Sequence, residues 1–71
     1  MAKYVDYWFE VVDEDSDLCG EEFLVEVDRE YEPEPLAVAK EIAAENFPDV
    51  KLTCHGALSP YQAEMMGLDT Y

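Results

Sequence analysis

Basic residues are scarce in this chain: four lysines and arginines in 71 positions, against eighteen aspartates and glutamates. The resulting formal net charge of −14 argues against direct binding to nucleic acid or to an anionic membrane, since either contact sets negative charge against negative charge. Cysteine is nearly absent. Cys19 and Cys54 form no CxxC pair, and two isolated thiols suit a reducing compartment, so a cytoplasmic location is expected. Number alone permits a bridge between them. No apolar run approaches the ~20 residues of a membrane-spanning helix, and MAKYVDYWF is too short and too polar to be read as a signal-peptide core. Glycine occupies only three positions, and no GxGxxG, P-loop or serine-elbow pattern occurs. The single histidine, His55, follows Cys54 directly. Neighbours on a strand face opposite sides, so the two do not form a nucleophile–base pair. No catalytic residue, no cofactor and no enzymatic activity are expected, and His55 reads as a surface histidine among acids.

Hydrophobic residues make up 49% and aromatics 13% of the chain, too much for a disordered acidic tail. The expectation is one domain spanning residues 1–71, with a thin stability margin set by its size. YVDYWFEVV (4–12) alternates as a strand, with Val5, Tyr7, Phe9 and Val11 on one side and Asp6, Trp8 and Glu10 on the other. Residues 22–29 alternate in the same way, with Phe23, Val25 and Val27 inward and Glu22, Leu24, Glu26 and Asp28 outward. Residues 13–21, with Gly20 and five acids, read as a long hairpin loop. YEPEP (31–35) is a stiff connection that leads into a helix over 35–47, in which Leu36, Ala39, Ile42, Ala43 and Phe47 share a stripe; Pro48 stops it. VKLTCH (50–55) reads as a third strand with Val50, Leu52 and Cys54 inward. Ser59, Pro60 and Gln62 spell a capping box that opens a short helix ended by Gly67. A right-handed crossover then predicts a two-layer α+β domain of the form ββαβ(α). Its three-stranded antiparallel sheet, in the order 2-1-3, packs on one main helix, and strand 22–29 lies at an edge.

The stretch DEDSDLCGEE (13–22) holds six carboxylates and no base. Asp13, Asp15 and Asp17 match the first three ligand positions of an EF-hand loop, but Leu18 stands where the turn needs glycine and Leu24 where the bidentate glutamate belongs. These aspartates are therefore only weak candidates for a divalent cation, and no metal site is assigned. The wider pattern is more telling. Thirteen acids and one base, Arg29, lie between Asp6 and Glu34, whereas residues 35–71 hold five acids and two bases. Small domains are comfortable at a charge magnitude of about 2–8. Acids also deter edge-to-edge pairing of strands and keep a protein in solution, but mixed charge serves the same ends.

In size and charge the chain resembles the small acidic DNA-mimic proteins of phages and mobile elements, including anti-restriction and anti-CRISPR inhibitors. The resemblance covers the whole chain in style and matches no motif, so no residue role is carried over. It implies a non-enzymatic inhibitor or decoy that occupies the basic nucleic-acid site of a partner protein. Asp13, Glu14, Asp15, Asp17, Glu21 and Glu22 would supply the loop field. Asp6, Glu10, Glu26 and Asp28 would extend it, with Trp8 and Leu24 as apolar anchors on an open outer face. In the contrary arrangement Leu58, Tyr61, Met65, Met66 and Leu68 fold back over that face. The alternative function is a small structural domain that forms a homodimer or packs into a larger assembly through apolar residues and whose acids serve solubility; a third is a weak cation-binding loop.

Overall fold

Strict alternation in β1 (Tyr4–Val11) and β2 (Glu22–Asp28) produces an antiparallel hairpin. Val5 lies opposite Val27, Tyr7 opposite Val25 and Phe9 opposite Phe23. The computed structural model describes residues 3–71. The elements that follow are α1 (Pro35–Asn46), β3 (Leu52–Leu58) and α2 (Pro60–Met66). The sheet order is β2-β1-β3 with both pairings antiparallel, as expected of this α+β fold. Helix α1 lies on the face that carries Phe9, Val11, Phe23, Val25 and Val27, and its small Ala39 and Ala43 are wholly buried there. The aromatic centre of the core is a stack: Phe23 is 5.5 Å from Phe9 and 4.2 Å from Phe47, ring centre to ring centre.

Three details depart from the sequence reading. First, β3 begins later and runs further than 50–55. Phe9 pairs with Cys54 but Trp8 pairs with Gly56, so His55 is an extra residue in a β-bulge. Gly56 has φ +120°, a conformation that side chains with a Cβ rarely adopt, and it lets the strand recover its pairing as far as Leu58. Second, Leu36 is 41% exposed rather than part of the helix stripe, and Val38 packs on the core instead. The cause is placement: α1 contacts β2 and β1 and reaches little of β3.

The third departure concerns the outer edge of β2, which is not open. The Leu24 N–H donates to the Asp69 carbonyl at 2.8 Å and the Glu26 N–H to the Tyr71 carbonyl at 3.0 Å. The Tyr71 N–H returns a bond to the Leu24 carbonyl at 2.8 Å. Residues 69–71 thus lie parallel along β2, and the Tyr71 ring meets Phe23 and Phe47 edge-on, 5.5 Å from each. Between β3 and this tail, α2 packs on β1 and β3 and crosses the face opposite α1. Its start is the expected capping box: Ser59 Oγ accepts from the Gln62 N–H and Gln62 Oε1 from the Ser59 N–H. Gly67 ends it with φ 62°.

Candidate functional site

The outer face of the hairpin is built from cross-strand pairs, read directly from the register: Tyr4 with Asp28, Asp6 with Glu26, Trp8 with Leu24 and Glu10 with Glu22. Two of these oppose like charges, which is ordinarily unfavourable. The two pairs are resolved differently.

At the loop end, Glu10 and Glu22 each find a donor. Trp8 donates its indole N–H to Glu22 Oε1 at 2.9 Å, and His55 Nε2 lies 2.8 Å from Glu10 Oε1. The rings of Trp8 and His55 are in contact, 4.4 Å between centres and tilted by 40°. The bulge at His55 sets this imidazole beside the indole. His55 was expected among acids on the outward face, but its joint contact with Trp8 and Glu10 was not read from the sequence. The only hint was Gly56 directly after it.

At the other end, no donor to Asp6 is found among the described residues. Its side chain is 6% exposed, and burial, followed by the charge of Glu26 opposite, holds its carboxyl above the ordinary aspartate range. A carboxyl whose pKa rises on folding contributes stability while it is protonated in the folded state, below its unfolded pKa of about 4. That contribution is lost as pH rises through the higher folded value. Asp6→Asn is therefore expected to melt at a higher temperature than the parent at pH 7, and the difference should shrink as the pH falls below about 4. Thermal melts across that range would show it, and a variant less stable at pH 7 would refute the assignment.

Leu24, 1% exposed, is sealed beneath the C-terminal segment. The open outer face expected from the sequence is thus corrected: Leu24 and Asp6 are withdrawn from any contact surface, and Trp8 is half-buried rather than free. Of the covering residues named, Leu58, Met66 and Leu68 are half-buried, joined by Ala63, whereas Tyr61 and Met65 remain 72% and 71% exposed. Tertiary contact decided this, because alternation marks both faces of a strand but does not say which later segment returns to cover one.

The loop itself is a series of tight turns. Asp13 Oδ1 accepts the Asp15 N–H at 3.1 Å, and its Oδ2 accepts the Lys51 N–H at 3.3 Å. Ser16 Oγ accepts the Leu18 N–H, and Gly20, at φ 95°, donates to the Val11 carbonyl. Asp13 thus ties the loop to the approach of β3, and its carboxylate is engaged inside the protein. Among the described residues no group of three or more His, Cys, Asp or Glu side chains converges as a metal site. Asp28 is likewise engaged: Oδ1 accepts the Glu30 and Tyr31 N–H groups, and Oδ2 lies 3.5 Å from Lys3 Nζ. Cys19 and Cys54 are both free thiols.

What remains outward at the hairpin end is a set of exposed carboxylates, Glu14, Asp15, Asp17, Glu21 and Glu22, adjoining half-buried Glu10, Asp13 and Trp8. Glu26 is exposed further along β2. Among the described residues only Asp28 has a lysine or arginine within 4 Å, so no lysine or arginine charge is fixed beside the rest. No described helix is long and apolar enough to cross a membrane. Comparison with protein-family models, with curated proteins and with solved structures found no match.

Proposed function

We propose that this chain is a non-enzymatic acidic binding module that presents the hairpin end to a basic surface, acting as an inhibitor or decoy at the nucleic-acid site of a partner protein. One observation carries the reading: a dense group of exposed carboxylates without lysine or arginine partners, on a loop whose turns are hydrogen-bonded to one another and to the approach of β3. Such a surface is attractive to a cationic groove and costs little reorganisation on contact. Glu14, Asp15, Asp17, Glu21 and Glu22 form the contact field, and Glu10 and the edge of Trp8 border it. Asp13 and Asp28 act by shaping the turns. The phage or mobile-element character suggested by size and charge belongs to the same reading.

The test is capture of partners from a host lysate at low salt, followed by competition between this chain and nucleic acid for the captured protein. Binding is expected to be competitive and to fall steeply as salt rises, because several ion pairs form together. Asp15→Lys combined with Asp17→Lys alters two exposed side chains that make no hydrogen bond or ion pair among the described residues. It should weaken binding by about tenfold or more at low salt, the scale of close charge pairs across an interface. Simultaneous binding of nucleic acid and this chain to the partner would remove the decoy reading.

A further inference from the structure

The two long edges of the sheet are treated differently. The outer edge of β2 is closed by residues 69–71, whereas β3 pairs with β1 alone among the described residues. Open edges usually carry charge or proline, which discourage the addition of another strand. β3 carries neither: from Leu52 through Ala63 there is no Asp, Glu, Lys or Arg, and no proline before Pro60, in a chain of net charge −14. The bulge at His55 kinks the edge but leaves it uncovered.

On the α1 side, the surface over β1, the strand next to β3, is also unfilled. Because α1 sits over β2 and β1, a groove of about 360 Å³ remains next to its first turn, lined by Tyr7, Glu34, Pro35, Leu36, Ala37 and Lys40. Leu36 is 41% exposed there, and Ala57, paired with Tyr7 on the same face, is exposed.

We infer that the outer edge of β3 accepts an extended segment of a cationic polypeptide by strand addition. The inference rests on the proposed function for the sign of the partner's charge and adds the structural element through which that partner is held. Charge selects the occupant. A second copy brings another −14, whereas a cationic segment is drawn in by the same field and meets an edge strand that itself carries no carboxylate. Main-chain hydrogen bonds supply affinity in this mode, and alternate side chains supply specificity. Residues facing α1 would be apolar, to fill the groove at Tyr7 and Leu36. Residues on the other face would be lysine or arginine, on the side that carries Glu10 and His55.

The probe is a blocked peptide of β3's length that alternates lysine and valine, titrated against the whole chain at physiological salt and followed by amide NMR. Shifts are expected along Leu52–Leu58 and around Leu36. N-methylation of the peptide nitrogens that face β3 removes donors without changing charge and should weaken binding by about tenfold or more. Ala57→Pro, once its spectrum confirms an intact fold, should do the same. Equal affinity of the N-methylated peptide, or filling of the edge by self-association in sedimentation, would overturn the proposal. Shifts confined to residues 13–22 would also overturn it while leaving the acidic decoy reading in place. Pairing at β3 by a chain that binds no basic nucleic-acid protein would do the reverse.

Discussion

Phe23→Ala is expected to remove roughly half or more of the folding stability of this domain. Phe23 is 2% exposed and is the one ring that touches all three other aromatics of the cluster: Phe9 and Phe47 by stacking, Tyr71 by its edge. Truncating a buried phenylalanine costs about 3–5 kcal/mol. At about 0.05–0.15 kcal/mol per residue, a domain of this length holds only about 4–10 kcal/mol in all, so one substitution takes roughly half or more. The loss is compounded because the cavity opens where α1, the hairpin and the tail meet. Urea denaturation against the parent measures it. Phe23→Leu, which keeps most of the volume, should retain a cooperative transition at reduced stability. A cost for the alanine variant below about 1.5 kcal/mol would mean that the stack is not the centre of the core.

Leu24→Asp is expected to release the C-terminal segment while the α1 side of the sheet stays folded. Leu24 is 1% exposed on the face opposite α1 and pairs with Trp8 across the strands. An aspartate there would sit near Asp6 and Glu26 with no base to meet it. Leaving an unpaired charge buried costs several kcal/mol, more than a seven-residue helix and three tail residues can offset, so undocking is the cheaper response. Hydrogen exchange reports it directly. The amides of Leu24 and Glu26 donate to the Asp69 and Tyr71 carbonyls and should lose protection, whereas those of Phe9 and Val25 should keep most of theirs. Retained protection at Leu24 and Glu26 would refute this account of the second face.

Secondary structure was legible because its signals are local. Period-two alternation marks β1 and β2, Pro35 opens α1 as Pro48 follows its end, and Ser59-Pro60-Tyr61-Gln62 writes its own capping box. The sheet order followed from those elements together with the handedness of a crossover. The exit from β3 was misplaced because a bulge breaks the very periodicity used to find strands, and only the lone Gly56 signalled it. Of the acids, Glu14, Asp15, Asp17, Glu21 and Glu22 lie outward as read. Asp13 and Asp28 were counted as field but serve as turn acceptors, since a carboxylate looks the same in sequence whether it faces water or a backbone N–H.

Sequence alone determined the charge, the elements and the face each strand turns to α1, because composition and alternation are properties of the chain read a few residues at a time. Only tertiary structure decided that α2 and residues 69–71 close the second face, burying Leu24 and Asp6, and that β3 rather than β2 keeps a free edge. Those outcomes depend on where a segment some forty-five residues away returns, and contacts between distant segments leave no periodic trace in either one.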